Sequence, residues 1–325
     1  MGKHLNNHGN KEFKNLDEQI EILQNKGLVI DNKKYAKEVL FRENYFFLNG
    51  YRHLFMISSS NKTYIEGTTF EELYSLFLFD RSFRNILFKN ILTIENNLKS
   101  IISYQLSLCY GYHEKDYLDH HNFTDVPEKS RQVNDVIHKM KRQIKSNAST
   151  HSATMHYVDN YGYIPLWVLV KVLSFGIIGE LFAILKKEDQ ITIADVYNLN
   201  PETFLNYLLL LSNYRNLCAH EDIVFENRTQ RVIGDTKYHR ILNIDITNNE
   251  YVYGKNDVFA LVIVIRQMLK DDEYINMSLE IKHCIDNLKM NLHHIPIEKV
   301  LDRMGFPNNW EELCEIKEEK VFYER

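Results

Sequence analysis

Between Phe70 and Leu108 the chain repeats apolar residues at helical spacing over many turns. Leu73, Leu76, Phe83, Leu87, Ile91, Ile94, Leu98, Ile101 and Ile102 share one face of a 3.6-residue period. Thr69 stands where an N-cap belongs and Glu72, three residues on, completes a capping-box pattern, so the helix has a defined start. A helix of that length sets the scale of the fold, because the remaining elements must cover its stripe. Glycine (12) and proline (5) make up about 5% of the 325 residues, against an average near 12%. A sandwich, a barrel or a doubly wound sheet would need more punctuation than that. The expected fold class is all-α.

At roughly 150 residues per domain the chain has about two domains' worth of sequence, ample for a sizeable core. A composition of 44% hydrophobic and 26% charged residues describes a compact soluble body. The formal net charge of -5 provides no global field toward nucleic acid or an anionic membrane, so any phosphate binding must be local. Cys109, Cys218, Cys284 and Cys314 lie far apart without a C-x-x-C pair, which predicts free, mostly buried thiols in a reducing cytoplasm. The N-terminal MGKHLNNHGNKEFKN is polar and lacks the apolar centre of a signal peptide. The most apolar stretch, Ile164 to Leu185, is interrupted by Lys171, Ser174 and Glu180 and reads as a buried helix, not a membrane span. His151, His156, His293 and His294 have no carboxylate or thiolate at ligand spacing, so neither a metal nor another cofactor is expected.

Residues 1–14 read as a loose tail and 15–325 as a single helical body. A short helix from Leu16 stops at Gly27, and a second covers about Lys33 to Leu48, with GYRHLF as a connector. After the long helix, another spans roughly Glu128 to Ser146. The polar NASTHSATMH then leads to an apolar helix around Trp167 to Leu185. Asn200-Pro201-Glu202 is a strong helix start for FLNYLLLLSNYRNLCAH. Residues 242–253 alternate like a small β-hairpin with Asn248-Asn249 at its turn, and the chain closes with helices over Asp257 to Leu269, Glu273 to His293 and a C-terminal segment.

The chemistry, if there is any, lies in Arg215-Asn216-Leu217-Cys218-Ala219-His220. On a straight helix Asn216 and His220 are nearly in line, whereas Arg215 and His220 are about 140° apart. Arg215 must therefore reach round, or the helix must loosen at its end. A permanent cation, an amide and a titratable imidazole can then converge on one phosphate. That trio suits RNA cleavage without a metal. The ribose 2'-OH attacks its adjacent phosphate, His220 moves a proton, and Arg215 stabilises charge on phosphorus. One histidine cannot easily be both base and acid, so a second copy across a two-fold axis is expected, making the protein a homodimer. By spacing alone, a helix-end ion pair or cap is the simpler explanation of Arg215 and His220.

Five ordered segments, EQIEILQNKGLVID, ENYFFLNGY, GTTFEELYSLFLFDRSFRNILFKNILTIENNLKS, HYVDNYGYIPLWVLVKVLSFG and RNLCAH, resemble the Abi family of bacterial abortive-infection proteins of the AbiD/AbiF type, from about Leu16 to Arg228. That family is similar to the HEPN superfamily of all-α domains, which often act as dimeric, metal-independent endoribonucleases through an arginine, an adjacent polar residue and a histidine four to six positions on. The resemblance implies a HEPN-like helical bundle core over 67–230, flanked by N-terminal helices (15–66) and C-terminal helices (231–325). It also implies Arg215, Asn216 and His220 as the catalytic set, antiphage defence as the setting, and a small structured RNA as a restraining partner. Phe47, Lys171 and Ile223 depart from the family's pattern, which usually has an arginine, an acidic residue and an arginine there.

Asp80 and Arg84 are paired at i,i+4, with Glu95 three turns along the same face and Lys99 pairing with it. They read as an ion-pair network fixing helix packing, or as support that orients Arg215. Lys129, Arg131, Lys139, Lys141, Arg142 and Lys145 gather positive charge on one helix, a candidate RNA-binding face or simply a solvated one. Trp167, Phe175 and the many tyrosines at helical spacing read most simply as core, with an aromatic stacking platform for bases as the alternative. The expected function is therefore a cytoplasmic endoribonuclease leaving 2',3'-cyclic phosphate ends. The alternatives are a non-catalytic RNA-binding scaffold and a sensor of phage protein that never touches RNA.

Overall fold

A computed structural model describes residues 12–58 and 62–317; residues 1–11 of the expected tail lie outside the described residues. In chain order the helices are α1 (Leu16–Asn25), α2 (Lys33–Glu43), α3 (Tyr45–Asn49), α4 (Phe70–Tyr110), α5 (Glu114–Tyr117), α6 (Ser130–Asn147), α7 (Ser152–Tyr161), α8 (Leu166–Val172), α9 (Phe175–Ile184) and α10 (Lys187–Asp195). They continue as α11 (Pro201–Ala219), α12 (Lys237–Ile241), α13 (Val258–Met268), α14 (Asp271–Asn291) and α15 (Ile297–Met304). One antiparallel pair of strands, β1 (Ile246–Thr247) and β2 (Glu250–Tyr251), precedes α13. The fold is all-α.

Cα proximity groups the chain into two compact units. One holds the described residues up to Arg81 with His283–Val300, and the other Ser82–Lys282 with the described residues from Leu301. The divisions fall within α4, α14 and α15.

In the first unit α1 packs on α2 and α2 on α3. The capping box at the start of α4 forms as expected: Thr69 N donates to Glu72 Oε2 at 3.1 Å and Glu72 N to Thr69 Oγ1 at 3.2 Å. Glu72 does more than cap. The backbone N–H groups of His293 and His294 donate to its Oε1 at 2.6 and 2.8 Å, and His294 Nδ1 lies 2.7 Å from Oε2. A carboxylate almost wholly removed from water thus ties residues 221 and 222 positions apart in sequence to one cap. Burial alone would push this carboxyl up, but those amides and the imidazole more than reverse it and hold it low.

The second unit is organised around two buried faces. On α4, Phe83, Leu87, Ile91, Ile94, Leu98 and Ile102 are buried as the period predicts, while Ile101 is half-buried. Helix α11 packs on α9, α10 and α13. All eleven residues of α13 are buried, Arg266 included. Two of its three guanidinium nitrogens are bonded internally, with Nε donating to the Leu313 carbonyl at 3.2 Å, and Nη2 to Asp271 at 2.8 Å and to the Ile316 carbonyl.

Three expected boundaries need correction. The helix expected over Lys33 to Leu48 breaks at Asn44, which adopts φ +65° and accepts a hydrogen bond from Phe46 N at 2.9 Å. Asparagine tolerates positive φ because its side chain compensates locally. The helix expected over Trp167 to Leu185 is two, α8 and α9. Leu173 is extended, and Ser174 Oγ caps α9 by accepting from Ile177 N at 3.3 Å. The polar NASTHSATMH, read as a connector, supplies the first half of α7, which ends at Gly162 in the left-handed region, φ +76°. The hairpin is where the alternation placed it. Asn248 and Asn249, at φ +53° and +65°, form the turn with the backbone sign that two-residue hairpins require.

No described helix is long and apolar enough to cross a membrane. Among the described residues, no three His, Cys, Asp or Glu side chains cluster as a metal ion would need. The four cysteines are free thiols; Cys218 and Cys284 are buried, but Cys109 is exposed and Cys314 intermediate.

Candidate functional site

Asn200 starts α11 by accepting from Thr203 N at 2.9 Å, with Pro201 in the first turn. Phe204, Leu208, Leu211, Tyr214 and Cys218 are buried, which leaves Asn216 and His220 exposed and Arg215 about a third exposed at the C-terminal end. The helix ends at Ala219, and His220 is its C-cap, donating its N–H to the Asn216 carbonyl at 3.0 Å. Glu221 follows at φ +58°. Its N–H donates to the Cys218 carbonyl at 3.4 Å, and that of Asp222 to the Leu217 carbonyl at 3.1 Å. This is the Schellman arrangement, with a glutamate where glycine is usual. Left-handed backbone costs a residue with a side chain about 1–2 kcal/mol. Arg84 Nη1 donates to the Asp222 carbonyl at 3.0 Å and so fixes the turn to α4.

Arg215 leans toward α4. Its Nε lies 3.6 Å from Glu95 Oε2, and its guanidinium carbon lies 5.7 Å from the centroid of the Phe88 ring. The other oxygen of Glu95 accepts from Lys99 Nζ at 2.7 Å. Glu95 and Lys99 are both buried. Among the described residues neither Glu95 Oε2 nor Arg215 Nε has a hydrogen-bond partner, so charge and a ring face hold the arginine rather than directional bonds. One carboxylate facing two cations leaves the local sum at +1, which suits an approaching phosphate. Among the described residues no side-chain hydrogen bond or ion pair joins Arg215, Asn216 and His220 to one another; the one bond between them is the backbone bond from His220 N to the Asn216 carbonyl.

Of the residues read as supporting Arg215, Glu95 faces it and Arg84 secures the turn beyond His220. Asp80 belongs to the first unit, where Tyr51 OH donates to it at 2.7 Å. The six cations read as an RNA-binding face divide. Lys129 Nζ donates to the Ala183 carbonyl at 2.9 Å and Lys139 pairs with Glu180 at 2.6 Å, so both already have partners within the protein. Arg131, Lys141, Arg142 and Lys145 are exposed outside the buried stripe of Val133, Val136, Ile137 and Met140, with no ion pair among the described residues. Phe175 is core, but Trp167 is not: it is 43% exposed. Phe47 and Lys171 are exposed and Ile223 is half-buried. Sequence reasoning missed Phe88 and the turn at Glu221; the missing glycine after an apolar helix was the available signal for the second.

No curated protein and no solved structure matches this chain. A family model described as Abi-like protein matches residues 38–226, a span that contains α11 and its motif. Covering more than half of the 325 residues, that match establishes that the chain belongs to the Abi-like protein family, whose name points to abortive-infection defence.

Proposed function

We propose that this protein is an endoribonuclease of the HEPN type that acts in abortive infection, with Arg215, Asn216 and His220 as its catalytic set. The observation that carries the reading is that the end of α11 presents three different phosphate-handling side chains whose exposed atoms have no hydrogen-bond partner among the described residues, beside a carboxylate shared by two cations. The substrate's 2'-hydroxyl attacks the adjacent phosphorus while its proton leaves to a base and the 5'-oxygen departs with a proton from an acid. The products are a 2',3'-cyclic phosphate and a 5'-hydroxyl. His220 serves as one of these proton carriers, Arg215 neutralises the charge gathering on the non-bridging oxygens, and Asn216 donates to one of them. A second protomer would bring the other histidine. By family resemblance, a small structured RNA would restrain the enzyme in the cytoplasm until infection.

Purified protein is incubated with RNA in a chelator and the ends of the products are mapped. The expected result is cyclic phosphate ends from the wild type, with a loss of about 10²-fold or more in folded His220→Ala and Arg215→Ala. Unchanged cleavage by folded His220→Ala refutes the assignment. A non-catalytic RNA-binding scaffold is the second reading, favoured by one feature: nothing among the described residues orients the His220 ring as a catalytic base usually is oriented. RNA binding without any cleavage by the wild type would select it.

A further inference from the structure

We infer that the rings around Trp167 form a stacking platform for unpaired bases, with the exposed cations of α6 holding the phosphates of the same strand. The inference takes its ligand class from the RNA reading but needs no cleavage at His220.

Trp167, Tyr112, His113 and Tyr163 lie against one another in the second unit. Tyr112 and Trp167 centroids are 5.3 Å apart, Tyr112 and His113 4.6 Å, and His113 and Tyr163 4.0 Å. Tyr161 and Tyr157 continue the row at 6.5 and 5.3 Å. Packing does not account for it, since Tyr112 is 40%, Trp167 43% and Tyr161 59% exposed. Rings left in water at this density lose burial energy that a core would recover.

The loop carrying them is braced. Ile164 N donates to Glu114 Oε1 at 2.6 Å, and Tyr117 OH donates to the Ile164 carbonyl at 2.8 Å. Gly162, in the left-handed region, turns the chain between Tyr161 and Tyr163, and Gly111, at φ +95°, does so just before Tyr112. A rigid, exposed set of π faces is what sequence-tolerant binding of single strands uses.

Charge selects the occupant. Helices α7 and α8, which carry Tyr157, Tyr161 and Trp167, pack on each other, and both pack on α6. Helix α6 exposes Arg131, Lys141, Arg142 and Lys145 outside its buried stripe of Val133, Val136, Ile137 and Met140. An apolar protein partner would have no use for cations that have no ion pair among the described residues on the helix next to the rings, whereas a single strand uses rings and cations together.

The molecule supplies its own reporter. Trp167 is half-exposed and the other tryptophan, Trp310, is buried at 4% exposure, so quenching by a stacked base reads Trp167. The test titrates the full-length His220→Ala protein with a 2'-O-methyl oligoadenylate, which has no 2'-hydroxyl to attack. Saturable quenching is expected, with binding about tenfold weaker in Tyr112→Leu and in Tyr163→Leu, which keep apolar bulk but lose the π face. Lys141→Gln with Arg142→Gln should weaken binding and lower the salt slope by about 1.4, leaving the quench at saturation unchanged. Binding without quenching, or equal affinity in the leucine variants, overturns the inference, as does equal quenching by an RNA duplex. Trp167 emission that changes with protein concentration alone also overturns it, because a second copy then covers the rings. Failure here leaves the cleavage assay on wild-type protein standing, and the reverse holds too.

Discussion

Replacing Glu221 by glycine probes the strained turn that ends α11 directly. Glu221 is exposed, sits at φ +58°, and its side chain makes no hydrogen bond or ion pair among the described residues, so the substitution removes strain without removing a contact. Relief of left-handed backbone is worth about 1–2 kcal/mol. The greater freedom of glycine in the unfolded chain returns about 0.5–1 kcal/mol of that. The net expectation is about 0.5–1 kcal/mol of added stability, or roughly 1–4 °C in Tm for a body of this size. Glu221→Gln is the necessary control, because a negative charge at a helix C-terminus opposes the macrodipole by up to about 1 kcal/mol and its loss also stabilises. Glycine must exceed glutamine for strain to be the cause. Glu221→Val, a β-branched side chain in the same backbone, should be the least stable of the series. Guanidinium melts of the four proteins, read beside RNA cleavage, decide the matter. If the strained turn also holds His220, the glycine variant should be more stable yet several-fold slower. A glycine variant less stable than the wild type would refute the strain argument.

Three further outcomes follow from buried charges. Glu95→Ala should cost about 3–5 kcal/mol in a denaturant melt, because it strands the buried Lys99. Glu95→Gln with Lys99→Met should recover most of that stability while leaving cleavage impaired, since Arg215 then lacks its carboxylate. At Glu72 the carboxyl is held below its ordinary range, so its stabilising contribution is present above about pH 4.5 and is lost as the pH falls further. Glu72→Gln should be less stable by about 2–3 kcal/mol at neutral pH and show a flatter acid limb. Asp257, the N-cap of α13, goes the other way: burial pushes it up to about 6, against the amides of Ala260 and Gly254 and the charge of Arg228. Its ionisation therefore opposes folding, and about 3 kcal/mol of stability should be lost as the pH rises from about 4 to about 6. Asp257→Asn, an equally good cap, should abolish that slope in melts across the range.

Much of this was legible because it was local. The Phe70 helix, the Asn200 start of α11 and the Asn248-Asn249 turn each declare themselves within four residues or by period, and the structure has all three. The errors share a cause too. Asn44 and Ser174 interrupt apolar or helical patterns by bonding their own backbone, an effect that periodicity averages away. What lay beyond reach was pairing at long range. Nothing near Glu72 announces His293 and His294, and nothing near Trp167 says that its ring meets Tyr112 in solvent rather than a core. At the site, the identity of the residues was readable from RNLCAH, but their commitments were not. That Lys139 is tied to Glu180 while Lys141 and Arg142 have no ion partner among the described residues depends on which side of α6 meets α9.

Helix α13 hides every one of its residues, and α11 rests against it, yet α13 begins only at Val258, well after the family match ends at residue 226. A fragment trimmed to the matched span would leave the motif helix with a greasy flank in water. During synthesis the same order applies: RNLCAH emerges first and waits for Val258–Met268 before its support exists. A chain whose proposed cleavage groups gain their footing only once a later helix has been made has a built-in delay, which would keep copies cut short before that helix harmless to the cell that makes them.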